Sequence, residues 1–424
     1  MKKIFVKLLS ENDFEAMETY LRTKMLEMGA KLFESIIANK EQKTELTAEE
    51  SRRYTCKGYR NKQIQTIFGN IAINRKYYYD AENTKGYYPL DRILGIEDTG
   101  ISMGIKKAAS LLGLNEAYGA SQLEIKVLMG ISIDAKTIER VTKEIGKKAE
   151  IYMLGEDKKY PQGKSTIERL YICMDGTGIP MITGELQGRK GKLSKEARTR
   201  EVKLGCCFTQ LGTDALGLPI REEASTTYLG GIMSAEEFGK YLYREICARK
   251  LCGKRVQIIV ISDGAAWIWN IVKEYFPHAI EIIDLFHARE YYWRVGRAFY
   301  AAGSKSLYGW IERRKCELDN GDVEKVIAAI ERLIPHNNEQ KEARHSALSY
   351  YENHKLRMRY AEFRKQNLFV GSGVLEAGCK SVIAKRLKQS GMHWSVKGAN
   401  NVIALRCCLY SNQWEDFWEK AAAA

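Results

Sequence analysis

The sequence predicts an α/β protein with a mixed sheet and a helical insertion, preceded by a mainly helical N-terminal region. The first observation is the β-branched run from Val256 to Ile261, which is typical of a strand covered on both faces and ends on Ser262-Asp263-Gly264-Ala265. The second is the element order from Leu170 onward, β-β-β-α-β-α-β. The third is the long, mostly helical stretch 285–366, after which further helices follow.

The composition points to a polyanionic partner. The 424 residues carry a formal net charge of +14 with a pI near 9.1, which favours nucleic acid, although a generally basic, solvated surface has the same composition. The length suggests two to four domains at roughly 150 residues each. Lys7 and Glu11 interrupt any secretory segment, and no apolar run approaches the roughly 18 residues of a membrane span. The cysteines form no CxxC pair and have no zinc spacing, so we expect the cytoplasm.

The first predicted region, residues 1–90, combines a helix with a basic hairpin. Between residues 13 and 40, apolar side chains recur at helical spacing: Phe14, Met17, Tyr20, Leu21, Met25, Met28, Leu32 and Ile36. Residues 54–79 alternate around Gly69-Asn70, which predicts a hairpin that carries basic residues and tyrosines. This mixture suits a nucleic-acid backbone, but an exposed hairpin with solubilising charge has the same pattern.

The second predicted region, residues 91–155, is helical. A helix from Gln122 to Met129, a break at Gly130 and a longer helix capped by Asp134 resemble a helix-turn-helix. Its candidate DNA contacts are Lys136 and Arg140. Any helical hairpin produces this pattern, so both interpretations stay open.

The predicted sheet region comprises residues 165–284 and 371–418, and residues 285–370 form the helical insertion. Within it, the loop 184–200 is the densest basic stretch of the chain. We expect DNA contacts from this loop at Arg189, Lys190, Lys192, Arg198 and Arg200.

Three carboxylates lie at element ends: Asp175 after the first strand, Asp263 after the fourth, and Glu376 on the helix after the insertion. In a mixed sheet of this order, strands one and four are neighbours, so their acids converge. Crowded carboxylates repel unless cations neutralise them, and oxygen ligands without His or Cys suit two Mg²⁺ or Mn²⁺ ions. Each acid also has an ordinary explanation: a turn residue, a helix N-cap and a solvated helix residue, respectively.

The helix that carries Glu376 is basic. Its candidate DNA contacts are Lys380, Lys385, Arg386 and Lys388, which would neutralise a strand that enters the metal site. Glycines 371, 373 and 378 would allow close backbone approach. The alternative is an ordinary basic surface helix.

Several segments resemble the ISKra-type bacterial insertion-sequence transposases, a DDE class with an RNase H-like core. They are MDGTG (174–178), REVKLGCCFTQ (200–210), STTY (225–228), SDGAAWIWN (262–270), FPHAIEIIDLFHARE (276–290), GSGVLEAGCK (371–380) and RLKQSGMHWSVKGAN (386–400). The resemblance covers about residues 170–418, and its acid triad falls on Asp175, Asp263 and Glu376. Asp284-Leu285-Phe286-His287 resembles the [C/D]xxH element of Mutator-like and hAT transposases, which implies a place near the active site for His287. A lone histidine at a strand end is also commonly a structural hydrogen-bonder.

One departure from the family concerns the N-terminal hairpin. Many relatives carry cysteine pairs suggestive of zinc there, whereas this chain has only Cys56. The resemblance therefore implies an intact catalytic core without the N-terminal metal site.

The combined expectation is a DDE transposase that cleaves the ends of an insertion sequence and joins them to target DNA. Its partners would be double-stranded DNA, both terminal repeats and target, and further copies of itself on that DNA, with no membrane. It would work in the cytoplasm, on the nucleoid. The alternatives are a transposase-derived DNA-binding protein without catalysis and an RNase H-like nuclease.

Overall fold

The computed structural model describes residues 13–155, 158, 160, 168–191, 196–249 and 256–423. The chain divides into two compact units, Met1–Ile145 and Gly146–Ala424. The finer division into four regions stays a prediction. Among the described residues, no helix combines the length and the apolar character that crossing a membrane requires.

The first unit contains a three-stranded antiparallel sheet in the order β1-β2-β3. Its elements are α1 (Phe14–Gln42), α2 (Ala48–Arg53), β1 (Thr55–Thr66), β2 (Gly69–Asp80), β3 (Lys85–Tyr87), α3 (Pro89–Leu94), α4 (Met103–Gly113), α5 (Tyr118–Met129) and α6 (Ala135–Leu154), the last of which extends past the unit boundary. The predicted hairpin is confirmed, with Thr66 paired to Gly69 across the turn. Asp134 accepts the N–H of Thr137 at 2.9 Å, as predicted for the cap of α6.

One buried apolar cluster of the first unit lies between α1 and the hairpin. Its buried members are Ile37, Ile64, Ile71, Ile73 and Leu90. Ala30 and Phe33 of α1 pack against this cluster. The apolar spacing predicted this helix, but most of the residues that it marked, such as Phe14, Met25 and Leu32, are exposed.

The second unit contains the predicted mixed sheet, in the order β6-β5-β4-β7-β8. Its elements are β4 (Arg169–Pro180), β5 (Thr199–Thr213), β6 (Pro219–Gly231), α7 (Ala235–Ala248), β7 (Gln257–Ser262), α8 (Ala266–Tyr275) and β8 (Ile280–Ile283). The pairs β4–β5 and β5–β6 are antiparallel, whereas β4–β7 and β7–β8 are parallel. The predicted neighbourhood of strands one and four is therefore confirmed.

One prediction about β4 is wrong. The sequence suggested that this strand ends before Asp175, but it continues to Pro180. The reason is that β5 is long and still pairs with β4 at Pro180 and Thr199, after β7 has ended at Ser262. Asp175 therefore lies within a strand, at the point where only one neighbour remains.

The insertion after β8 is helical, as predicted. It comprises α9 (Leu285–Phe299), α10 (Lys305–Asp319), α11 (Val323–Glu331), α12 (Asn338–His354) and α13 (Tyr360–Lys365). Two buried tyrosines tie it to the sheet and to its own first helix: Tyr360 donates to the carbonyl of Ile283 at 3.0 Å, and Tyr351 donates to that of Ala288 at 2.7 Å.

The chain after the insertion does not form one regular α-helix around Glu376. It forms α14 (Gly373–Gly378), a π-helix (Cys379–Ala384) and α15 (Lys385–Leu387), and then α16 (Val396–Tyr410) and α17 (Trp414–Ala423). Fully buried Arg406 donates to the carbonyls of Ser381 and Val382. These bonds satisfy carbonyls of the π segment, so a tertiary partner stabilises a geometry that local propensity disfavours.

Candidate active site

Asp175 and Asp263 lie side by side at one edge of the parallel β4–β7 pair. The last paired residues are Met174 and Ser262, and each acid is the residue that follows directly in the chain. The N–H of Met174 donates to Oγ of Ser262 at 3.1 Å, which fixes this end of the pair. Adjacent strands are about 4.8 Å apart, so the register brings the two carboxylates together.

Different local contacts orient the two acids. Asp175 accepts the N–H of Gly176 on Oδ1 at 2.7 Å and the thiol of Cys379 on Oδ2 at 3.2 Å. Asp263 accepts the N–H of Ala265 at 2.9 Å in an Asx-type turn. Ala265, not Asp263, occupies the N-cap position of α8, so the helix-cap explanation of Asp263 does not describe its geometry.

The turn after Asp263 needs a glycine. Gly264 has φ +108°, and a Cβ there would lie 2.9 Å from Cε2 of Tyr350 and 3.2 Å from Nε2 of His354. The Tyr350 hydroxyl donates to the carbonyl of Asp263 at 2.7 Å. Helix α12 of the insertion therefore holds the backbone that presents this acid.

The electrostatics of the pair favour a bound cation. Burial raises the pKa of Asp175, and the charge of Asp263 raises it further, while the Cys379 thiol and His287 act in the opposite direction. Two hard oxygen donors with a surplus of negative charge fit Mg²⁺ or Mn²⁺. Within the described ranges, however, no three or more His, Cys, Asp or Glu side chains are arranged to hold a metal ion.

Glu376 does not join the two aspartates in a three-carboxylate cluster. Its side chain is 65% exposed, and its carboxylate lies 3.5 Å from Nζ of Lys380. The Cys379–Asp175 contact comes from the residue one helical turn further on. The helix of the third acid therefore touches the first acid, while the third carboxylate faces solvent.

Two further contacts position that helix. Buried Asp284 caps α9 by accepting the N–H of His287 at 2.8 Å, and it also accepts the N–H of Ser372 just before α14. Gly378 packs so closely on Tyr228 that a Cβ would lie 2.5 Å from its ring, so a side chain of the protein itself fills the space at this glycine. Gly373, in contrast, has open space around the Cβ position.

His287 lies at the start of α9, with a side chain 43% exposed and Nδ1 3.9 Å from Oε2 of Glu290. Its charge also contributes to lowering the pKa of Asp175, against the larger effect of burial. A catalytic role for His287 stays a prediction.

Among the basic residues near Glu376, Lys388 donates to Oγ1 of Thr177 at 2.6 Å, two residues after Asp175. Lys380 and Lys385 are exposed. The prediction that Arg386 contacts DNA is wrong, because this side chain is fully buried and its guanidinium lies over the ring of Trp394 at 5.0 Å. A helix shows one face to solvent and another to the core, and Arg386 faces the core.

The basic loop forms the border of a polar cavity of about 240 Å³. Arg189, Lys190 and Arg200 line it together with Lys203. Arg198 is exposed, and Lys192 lies outside the described residues. In the first unit, Lys136 is exposed, and Arg140 is 61% exposed with Nη1 3.8 Å from Glu144.

The sequence alone assigned no role to Cys379, Tyr350 or His354. It marked Gly264 only as the glycine that follows Asp263 at the end of the strand, and it gave Asp284 a place only through the [C/D]xxH resemblance. Cys379 follows Glu376 by three residues, but the spacing did not show that the thiol would contact Asp175 while the carboxylate of Glu376 faces solvent. The other contacts join segments up to 88 residues apart, as between Asp284 and Ser372, and no local pattern marks them.

His354 supplies a prediction about acid stability. Burial and the neighbouring Arg357 lower its pKa from 6.5 to about 4, whereas the charge of Asp263 opposes this shift. The folded state therefore binds a proton less readily than the unfolded state, and the stability that neutral His354 contributes is lost as pH falls from 6.5 towards 4. We measure the urea concentration at half-unfolding between pH 6.5 and pH 4. We expect it to fall less steeply with decreasing pH in His354→Gln than in the wild type. His278→Gln, at an exposed histidine, should leave the profile as steep as in the wild type.

The fold and site define an α/β protein with paired acids at one edge of a mixed sheet. The chain belongs to the family described as "Uncharacterised protein family (UPF0236)", whose model matches residues 9–414. It is 22% identical to the UPF0236 protein in the vanSb 3′ region of Streptococcus gallolyticus, over 85% of this chain and 75% of that protein. It is 24% identical to a UPF0236 protein of Caldanaerobacter subterraneus subsp. tengcongensis, over 96% and 80% of the two chains, and that protein's name joins eleven locus numbers.

Among solved structures, the Drosophila P element transposase strand transfer complex aligns with 78% of this chain and 83% of that chain. The TM-score is 0.27 and the sequence identity is 9%.

Proposed function

We propose that this protein is a DDE transposase with an RNase H-like core, which cleaves the ends of an insertion sequence and joins them to target DNA. The observation that carries the proposal is the register of β4 and β7, which places Asp175 and Asp263 as adjacent acids immediately after Met174 and Ser262. Their shared negative charge, combined with a chain of net charge +14, suits a cation-dependent reaction on a phosphodiester.

The chain's own residues have separate tasks in this proposal. Asp175 and Asp263 would hold two Mg²⁺ or Mn²⁺ ions, with Glu376 joining them from α14. When bound, the ions activate a water or a 3′-hydroxyl and stabilise the leaving oxygen. Gly176 and Cys379 orient the carboxylate of Asp175, and the Gly264 turn orients that of Asp263.

The basic residues would hold the DNA strand by its phosphates. Lys388 beside Thr177 and the exposed Lys380 and Lys385 lie on the helix of the third acid and its continuation. Arg189, Lys190, Arg198 and Arg200 would add further phosphate contacts, and Lys136 and Arg140 would contact DNA through the first unit. Binding through many phosphates makes affinity fall steeply with salt.

A relative supplies independent support. One name for eleven loci in a single genome means that the gene of the Caldanaerobacter relative is repeated there. Repetition at many loci is expected of an element that inserts copies of itself. We transfer this behaviour to the present chain, and we expect it to act as a homo-oligomer on nucleoid DNA in the cytoplasm.

A cleavage and joining assay tests the proposal. Purified protein is incubated with labelled DNA carrying the element's own ends, with Mg²⁺ or Mn²⁺. Metal-dependent nicks at the ends followed by joined products are the expected result. Cutting without joining would favour an RNase H-like nuclease, and tight binding without cutting would favour a DNA-binding protein derived from a transposase.

A stability measurement tests the cation site without DNA. Because burial and Asp263 raise the pKa of Asp175, its ionised form destabilises the fold above its folded pKa, and this penalty is absent below the ordinary value of 3.8. Mg²⁺ or Mn²⁺ should therefore raise Tm at neutral pH, by the equivalent of about 2.7 kcal/mol at a hundredfold excess over Kd. Asp175→Asn should raise Tm without metal and remove the metal response, whereas exposed Glu223→Gln should do neither.

A further inference from the structure

The β1–β2 hairpin of the first unit has one face in the core and one face towards solvent. Side chains alternate between the two faces, and Ile64, Ile71 and Ile73 occupy the buried one. The other face, the open face, consists of three consecutive cross-strand pairs: Gln63 with Ala72, Asn61 with Asn74, and Tyr59 with Lys76. Lys76 is half-buried, and the other members are exposed.

Side-chain amides occupy the middle of the open face. Asn61, Gln63 and Asn74 lie at adjoining positions, and none of these three side chains has a hydrogen-bond partner among the described residues. Asparagine is also disfavoured in strands, and a solvent-exposed pair of asparagines gains little from packing. The fold of the hairpin therefore does not account for these amides, and their donors and acceptors are available to a partner.

The hairpin that carries the open face is positively charged. From Thr55 to Tyr79 it contains five lysines and arginines and no acidic residue. Lys62 and Arg75 point to the other face, where they bond to buried Asp91 at 3.1 and 2.7 Å. The remaining cations form no ion pair with a described residue; they are Lys57, Arg60 and Lys76.

Helix α1 leaves the β1 side of the hairpin accessible, because it lies along the edge of β2. Glu34 of α1 accepts the N–H of Ala72 at 2.7 Å, and Glu41 accepts that of Lys76 at 2.8 Å. Lys57 and Arg60 are on β1, away from these acids in the sheet, and both are exposed. A polyanion can therefore approach the open face beside two unneutralised cations.

The dimensions of the open face match the major groove of DNA. The groove is about 12 Å wide and admits a two-stranded ribbon, whose strands lie about 4.8 Å apart. Successive cross-strand pairs are about 6.8 Å apart along the ribbon, which equals two base steps of about 3.4 Å. The narrow major groove of an RNA helix does not admit side chains in this way.

The chemistry of the open face matches A·T base pairs. Asparagine and glutamine can donate to N7's neighbour, the N6 amino group's acceptor partner being their carbonyl oxygen, and can donate their own N–H to N7 of adenine, so each forms two bonds with one base. Ala72, directly opposite Gln63, offers a methyl group that suits the C5-methyl of thymine.

We propose that the open face enters the major groove and recognises A·T base pairs, while Lys57, Arg60 and Lys76 bind the adjoining phosphates. The proposal rests on the proposed function, since it names the element by which a transposase would distinguish its own DNA ends from other DNA. It assigns sequence recognition to the hairpin of the first unit and leaves the reaction with the acids of the second.

Selection from a random-sequence duplex library by the full-length protein tests the recognition. The wild type should select a common site with A·T pairs two base steps apart. Asn61→Ala/Asn74→Ala should lower the preference for that site over a shuffled duplex at least about tenfold and leave the Kd for the shuffled duplex within about twofold. Both side chains are exposed, so Tm should stay close to that of the wild type.

Lys57→Ala/Arg60→Ala should give the complementary result. Loss of two phosphate contacts should weaken binding to the selected and the shuffled duplex alike. The slope of log Kd against log salt concentration should fall by about two, and the preference between the duplexes should remain.

The matched control is Asn39→Ala/Gln42→Ala, which removes two exposed amides from α1 in the same unit and should keep the wild-type preference. The proposal is overturned if the wild type selects no common site, if Asn61→Ala/Asn74→Ala keeps the preference, or if that variant loses affinity equally for both duplexes. End cleavage is measured separately. Selective binding without cleavage would refute the transposase and leave the recognition intact, whereas cleavage with unchanged selectivity in the amide variant would refute the recognition alone.

Discussion

Replacing Asp263 by asparagine is expected to abolish strand cleavage and leave DNA binding intact. Asparagine keeps the shape and can still accept the Ala265 N–H bond, which is 2.9 Å long, so the turn should be preserved. It removes the negative charge beside Asp175 and with it the charge that attracts the cations. We expect the rate of end cleavage to fall at least about 1,000-fold, as for loss of a group that stabilises developing charge.

The controls separate chemistry from folding and binding. Glu223→Gln removes one charge from a side chain that is 86% exposed and should cleave normally. The Kd of Asp263→Asn for end DNA, measured at two salt concentrations, should match that of the wild type or improve, since a carboxylate near phosphate has been removed. Cleavage by the variant within tenfold of the wild type would refute the assignment of this acid.

Replacing Gly264 by alanine is expected to destabilise the second unit and inactivate it. The positive φ costs an L-residue about 1–2 kcal/mol, and a methyl group 2.9 Å from the ring of Tyr350 adds roughly 1–3 kcal/mol of overpacking. The sum is roughly 2–5 kcal/mol in the free energy of unfolding. Because Tyr350 also bonds the carbonyl of Asp263, relief of the clash should move the acid itself.

Gly303→Ala is the matched control for this experiment. Gly303 also has a positive φ, +75°, but nothing lies within 4 Å of its Cβ position. This variant should lose only the backbone contribution, about 1–2 kcal/mol by urea unfolding, and should keep its activity. Equal losses in the two variants would mean that the contact with Tyr350 is not tight.

Asp263→Asn and Gly264→Ala change different parts of the same site. Asp263→Asn removes the carboxylate charge and keeps the backbone, whereas Gly264→Ala keeps the carboxylate and shifts the backbone of Asp263. A wild-type protein that cleaves DNA, an inactive but stable Asp263→Asn and an inactive, destabilised Gly264→Ala would together show that the insertion helix α12 supports the acid.

Local patterns in the sequence predicted much of the fold. The apolar run before Ser262 gave β7, alternation around Gly69 gave the hairpin, and Asp134 marked the start of α6. Each of these depends on periodicity or capping, which act between residues near each other in the chain. The third strand β3 and the last helix α17 were not predicted.

By itself, the sequence determined which two strands carry an acid and that these strands are neighbours. The type and order of the elements suffice for this, because a crossover between parallel strands has few possible arrangements. Tertiary structure alone decided which side chains face the site. It buried Arg386, turned Glu376 to solvent and brought Cys379 to Asp175. The physical reason is that the direction in which a side chain points depends on packing between segments that are distant in the chain. Examples are the hydrogen bond from Arg406 to a carbonyl of the π-helix and the bond from the Ser372 N–H to Asp284.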